Sequence, residues 1–331
     1  MTGQNELALR QCLERILPRM SNRQSAIAAF HRRRSGASTS YKTDILTVQF
    51  ADGAASKVFL KNFGAFERVR DVLRQRRERE VSVYQYLLED ANLGTPRYYG
   101  TVWDELQRTF WLLLEYVEGT EVRYLETNYW IAVAGWLGQM HGYFTRHAHY
   151  LSRLDFLRRH DADFLSAKAD AALDAVSQIL PGSVARFARI VNRYDRVVEA
   201  MVVHPPTLIH GAFRPQNVMV SGESQSMRIC TYDWEEAAFG APLYDLAYLT
   251  DGFKPPTLDL MFSMYRQRAT RFGMSVPEQE EMRYVVNCFR LHMIVNLLAQ
   301  AHVKQYGESD ITKRLTQGEE RLHLVDSAPP T

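Results

Sequence analysis

Residues 210–217 read His-Gly-Ala-Phe-Arg-Pro-Gln-Asn, and Asp233 follows in Tyr232-Asp233-Trp234. Between them, Val218-Met219-Val220 and Arg228-Ile229-Cys230-Thr231-Tyr232 are short β-prone runs separated by the turn formers of 221–226. This pattern predicts a hairpin. An antiparallel pair sets the start of its first strand beside the end of its second, so Asn217 and Asp233 are expected at one end of it. An amide oxygen and a carboxylate placed there suit Mg²⁺, a hard ion that takes oxygen ligands and shares them with substrate phosphates. An Asn and an Asp at strand ends also serve as turn caps, and it is the preceding loop that shifts the weight toward chemistry.

In that loop, a His, an acid two residues on, an Asn five after the acid and a strand-end Asp is the order of a phosphoryl-transfer site; this chain matches it everywhere except at the acid. The closest resemblance is to the aminoglycoside phosphotransferase and choline kinase-like family, whose loop runs His-Gly-Asp or His-Gly-Glu before a Phe-x-x-x-Asn. The resemblance implies an α+β, bilobal protein-kinase-like fold, with a small β-rich N-lobe and a larger helical C-lobe. By position, His210 resembles the histidine that braces the loop, and Asn217 and Asp233 resemble the Mg²⁺ ligands. Arg214 stands where kinases direct a basic side chain at the transferring phosphate. Pro242-Leu243-Tyr244-Asp245-Leu246 is similar to the family's Asp-Leu helix start, which implies that Asp245 holds the catalytic loop rather than reacting.

Ala212 occupies the position of the acid. An Asp or Glu there would accept the proton of the attacking hydroxyl and orient its oxygen; a methyl group does neither. Removing a general base costs about 10²–10⁴ in rate, or roughly 3–5.5 kcal/mol of barrier. Metal and phosphate binding rely on other groups. Two readings stay open: a base deliberately removed from an active kinase, or a natural pseudokinase.

At 331 residues the chain is long enough for two lobes. Hydrophobic residues at 46% and charged ones at 24% are ordinary for a globular protein. A net charge of +2 argues against nucleic acid as the main ligand. Cys12, Cys230 and Cys288 are widely spaced and without metal-ligand spacing, which fits buried thiols in a reducing cytoplasm. No basic segment leading into an apolar run opens the chain, and no apolar run approaches the ~20 residues of a membrane span. A cytoplasmic protein is expected.

Four segments follow from the pattern: an N-terminal helical extension over 1–34, a nucleotide-binding N-lobe over 35–117, a C-lobe over 118–306 with the catalytic loop and substrate pocket, and a polar, partly disordered tail over 307–331. Apolar residues from Leu7 to Leu17 predict a helix ended by Pro18. Arg32-Arg33-Arg34 reads as a solvated turn or a phosphate-contacting cluster. Residues 41–50 and 55–63 read as strands joined through Asp52-Gly53. Residues 66–90 read as one long helix, and two helices are expected over 167–201.

The resemblance extends over roughly residues 35–305. Ser38, Thr39 and Ser40 fall where a kinase covers the nucleotide phosphates, although the Gly-rich pattern is missing. Lys61 interrupts an apolar strand, and Glu80 lies on the following helix with Glu78 nearby; kinase-like folds pair such a lysine and glutamate, the lysine then binding phosphates. Glu115 and Val117 resemble hinge positions that contact the nucleotide through main chain. His141 reads as a structural, buried histidine. Together these features imply an ATP- or GTP-dependent, Mg²⁺-requiring phosphotransferase acting on a hydroxyl of a small molecule such as an antibiotic or a sugar. Its partners would be the nucleotide and that acceptor, with neither nucleic acid nor membrane. The alternative is a pseudokinase that serves as a nucleotide-binding or regulatory module.

Overall fold

A computed structural model of the chain describes residues 3–20, 25–35, 41–65, 71–104, 109–223 and 226–327. In chain order it contains α1 (Gly3–Met20), β1 (Ile27–Arg34), β2 (Lys42–Phe50), β3 (Ala55–Asn62), α2 (Asp71–Val83), β4 (Tyr98–Asp104), β5 (Thr109–Glu115) and β6 (Thr120–Glu121). There follow α3 (Thr127–Thr145), α4 (Ala148–Leu151), β7 (Arg158–His160), α5 (Ala162–Ile179), α6 (Val184–Val191), α7 (Tyr194–Val202) and β8 (Thr207–Ile209). The remainder is β9 (Val218–Ser221), β10 (Arg228–Thr231), β11 (Ala238–Gly240), α8 (Leu243–Leu249), α9 (Thr257–Arg271), α10 (Gln279–Ala299), α11 (Ala301–Lys304) and α12 (Glu308–Asp326). These elements form two compact units, one of residues 1–120 with 219–235 and one of 121–218 with 236–331.

The first unit is built on an antiparallel sheet of strand order β1-β2-β3-β5-β4. Alternation decides its faces: Leu46, Val48, Val58, Leu60 and Leu113 are buried, and α1 lays Leu9, Cys12, Leu13 and Ile16 against them. Those four residues recur at helical spacing, so one stripe of α1 meets the sheet. The expected stop at Pro18 is not observed; α1 continues to Met20, since a proline in a last turn removes few hydrogen bonds.

Arg32-Arg33-Arg34 is neither a turn nor part of a helical extension. It ends β1, a strand paired with β2 from Ile27 opposite Phe50 to Arg34 opposite Asp44. As an edge strand β1 is partly solvated, with its apolar residues grouped in the first half and its polar ones in the second, so it lacks the clean alternation that marks a half-buried strand. The hairpin at Asp52-Gly53 forms as expected: Gly53 has φ +81° and the Ala54 N–H reaches the Asp52 carboxylate at 3.0 Å. The helix expected over 66–90 is α2 followed by a π-helical turn at Tyr84–Leu88. Residues 66–70 lie outside the described ones.

In the second unit α3 runs closely against α9. A Cβ at Gly138 would stand 2.3 Å from the Tyr265 carbonyl oxygen, so only glycine allows this approach. The small sheet β7-β11-β8 pairs β11 parallel to β7 and antiparallel to β8. Residues 162–202 fold as three helices, α5, α6 and α7, rather than two. The segment expected as a polar, partly disordered tail is instead α12, whose Ile311, Leu315, Leu322 and Val325 are buried. Its apolar residues are few but correctly spaced, and composition alone hid them. Residues 328–331 lie outside the described ones. Cys12, Cys230 and Cys288 are free and buried, and among the described residues no helix is long and apolar enough to cross a membrane.

Candidate active site

In the first unit, β3 positions Lys61 opposite Thr43 of β2 and Leu112 of β5. Its side chain is almost fully buried, with Nζ 2.7 and 3.0 Å from the two carboxylate oxygens of Glu80 and 2.6 Å from Oδ1 of Asp233. The rings of Tyr41 and Phe63 lie 5.0 and 5.5 Å from Nζ and close the site with aromatic faces. Glu78 points elsewhere on α2 and pairs with Arg74 at an exposed position, so α2 turns Glu80 inward.

Asp233 takes φ +67° just past β10, a left-handed conformation that aspartate tolerates better than most residues. Glu80, Asp233 and Glu235 each bring a carboxylate oxygen within 4.8 Å of the others. Burial opposes the charge on Lys61, but Glu80, Asp233 and Glu235 outweigh it and hold the ammonium above its ordinary value. Burial also pushes Glu80 up, to about 8, and the charges of Asp233 and Glu235 add to this against the pull of Lys61.

Glu115 at the end of β5 is latched by its side chain, both carboxylate oxygens meeting Arg228 at 2.7 Å. Its backbone N–H donates to the Arg97 carbonyl at 2.9 Å. Val117 is buried. Ser38, Thr39 and Ser40 lie outside the described residues.

In the second unit, β8 feeds directly into the loop of residues 210–217. Asp245, in the first turn of α8, accepts the backbone N–H of His210 at 2.6 Å on Oδ2 and that of Gly211 at 2.9 Å on Oδ1. His141 of α3 lies 3.3 Å from Oδ2 through Nε2 and 2.9 Å from the Tyr265 hydroxyl through Nδ1. A carboxylate only accepts, so His141 carries its hydrogen on Nε2 and accepts a hydrogen bond from the Tyr265 hydroxyl on Nδ1. His141, Asp245 and Tyr265 are fully buried.

The His210 ring stands edge-on to Phe213, which stacks on Trp136. The carbonyl of Ala212 accepts both the Arg214 N–H at 2.7 Å and the Asn217 Nδ2–H at 3.1 Å. This ties the Asn217 side chain back to the loop through its N–H. Arg214 is exposed and lies over the Tyr248 ring at 5.8 Å.

The first unit thus gathers Lys61, Glu80 and Asp233, and the second gathers His210, Ala212, Asn217 and Asp245; Asn217 and Asp233 fall in different units. Sequence reasoning missed the Tyr265 partner of His141, the hold of Arg79 on the Glu235 carbonyl at 2.6 Å, and the Arg158–Glu236 ion pair at 2.6 Å. Each joins residues far apart in the chain, and no local pattern marks them.

The sequence model of a family described as the phosphotransferase enzyme family matches residues 46–281. No curated protein matches the chain by sequence. Among solved structures, the GDP complex of wild-type aminoglycoside 2′-phosphotransferase-IIIa superposes with a TM-score of 0.58 at 15% identity over 96% of this chain and 98% of that one. A GDP and kanamycin complex of an aminoglycoside 2″-phosphotransferase gives 0.58 at 14% identity, over 96% and 99%. The macrolide 2′-phosphotransferase MphH from Brachybacterium faecium gives 0.58 at 13% identity, over 97% and 98%. At these identities the likeness is one of fold.

Proposed function

Because the chain belongs to the phosphotransferase enzyme family, we propose that it transfers the γ-phosphoryl group of ATP or GTP to a hydroxyl of a small molecule, with Ala212 leaving the loop itself without an acid. The observation that carries this reading is Lys61, buried and shared between Glu80 and Asp233. A cation kept at such desolvation cost has its use when phosphates arrive. Lys61 would contact the nucleotide phosphates, oriented by Glu80, and the carbonyl of Glu115 with the main chain of Val117 would meet the adenine or guanine edge. Asp245 and His141 hold the loop, and His210 braces it.

Oxygen donors suit Mg²⁺: in this reading Asp233 would offer a carboxylate, and Asn217 would offer the amide oxygen left after its N–H binds the loop. When bound, the ion neutralises phosphate charge. Arg214 would add charge at the transferring group, and positioning of the acceptor supplies the rest. The acceptor is a polar natural product such as an antibiotic or a sugar, handled in the cytoplasm.

Binding is tested by thermal shift with MgATP and MgGTP, and turnover by screening hydroxyl acceptors with the wild-type chain, Ala212→Asp and Ala212→Glu. Nucleotide stabilisation in all three and phosphorylation by the acid-bearing variants are expected. Variants that bind nucleotide and phosphorylate nothing would favour the second reading, a nucleotide-binding or regulatory module, which Ala212 itself supports.

A further inference from the structure

The loop lacks a carboxylate at 212, yet the turn that leads into β11 brings Glu236 against the neighbouring Gly211. Ala238 of β11 lies opposite Ile209 of β8 in an antiparallel register, and continuing that register sets Glu236 opposite Gly211. The backbone agrees: a Cβ built on Gly211, whose φ is +76°, would stand 2.0 Å from the Glu236 carbonyl oxygen and 3.3 Å from the Glu236 Cβ. Directly opposed residues share a face. Gly211 contributes no side chain there, and the backbone and Cβ of Glu236 pack directly against it, one residue from Ala212 in the chain. Arg158, on the strand flanking β11 from the other side, holds Oε2 of Glu236 at 2.6 Å. Both side chains keep some exposure, 27% for Arg158 and 23% for Glu236, so a small molecule can reach the carboxylate.

We propose that Glu236 is the catalytic carboxylate of this chain, doing from the turn before β11 what an acid at 212 would do from the loop, with Arg158 as its positioning residue. The inference rests on the phosphotransferase reading above. In the step, the acceptor O–H gives its proton to the Glu236 carboxylate while its oxygen bonds to the γ-phosphorus. The bond from that phosphorus to the β,γ-bridging oxygen breaks, its electron pair leaves on the nucleoside diphosphate, and Glu236 returns the proton to water.

The test uses the full chain with MgATP or MgGTP and water as acceptor, following phosphate release against pH alongside nucleotide binding by calorimetry. The wild-type rate is expected to exceed the protein-free rate and to fall on acidification. Glu236→Gln should lower it by about 10²-fold, remove that acid limb and leave nucleotide affinity unchanged. Adding Ala212→Asp to Glu236→Gln should restore the rate. A Glu236→Gln rate within twofold of wild type, a loss that Ala212→Asp does not restore, or a wild-type chain that binds nucleotide and releases no phosphate would each overturn the assignment. If Glu236→Gln does not fold, Ala212→Asp alone decides: a gain below about tenfold supports a carboxylate already in place, and a gain of about 10²-fold or more overturns it. A chain that binds neither nucleotide overturns the phosphotransferase reading itself.

Discussion

Asp245 receives the backbone N–H groups of His210 and Gly211 on its two carboxylate oxygens, at 2.6 and 2.9 Å, in a fully buried setting. Backbone hydrogen bonds to a carboxylate are charge-assisted and fix orientation. The loop conformation is therefore imposed from α8, thirty-odd residues downstream, rather than by its own composition. Asp245→Asn replaces one acceptor by an NH₂ group facing a buried N–H. It should cost about 3 kcal/mol and be seen as a lower urea midpoint for the second unit.

Gly211 has a second reason to be glycine besides its φ of +76°. Any Cβ would drive into the Glu236 carbonyl at 2.0 Å, and the obstacle is backbone, which cannot swing aside. Gly211→Ala should destabilise by about 3 kcal/mol or more and lower phosphate release more than nucleotide affinity. Calorimetric melting and nucleotide titration together check this.

The Lys61 site predicts an asymmetry between single and double substitutions. Lys61→Met leaves Glu80 and Asp233 facing each other without their cation and should cost about 3 kcal/mol. Lys61→Met/Glu80→Gln removes one of the orphaned charges and should recover part of that loss. In both variants MgATP and MgGTP should no longer raise the melting temperature, because the phosphate contact is gone.

A pH effect is expected from His292 in α10. Burial, with the nearby Lys168 charge, pushes its imidazole down to about 3, and the Tyr194 hydroxyl lies 2.5 Å from its Nδ1. Because the folded value lies below the ordinary 6.5, the contribution is complete above pH 6.5 and is lost as pH falls toward 3. The slope approaches about 1.4 kcal/mol per pH unit. Melting temperatures between pH 7 and 4 should fall for the wild-type chain and flatten for His292→Leu.

Much of the fold was legible because its signals are local. The run from Ile45 to Leu60 alternates around Asp52-Gly53, and the hairpin formed there. The spacing from Lys61 to Glu80 is one strand, a connection and a helix, and the two side chains meet. Where the reading failed, the signal was diluted by solvent. Edge strand β1 carries three arginines, and α12 has only a thin apolar stripe among charges, so neither pattern stands out from a loop or a tail.

The sequence by itself determined the family pattern: the ordered residues of 210–217, Asp233, Lys61, Glu80 and the alanine at 212 are a one-dimensional pattern that survives without coordinates. Only the tertiary structure decided what stands around them. Asp245 on α8, His141 on α3, and Glu236 just before β11 are brought to the loop by packing between distant segments. Burial then gives these few polar contacts their weight, because each one left unmade away from water costs more than it would on the surface.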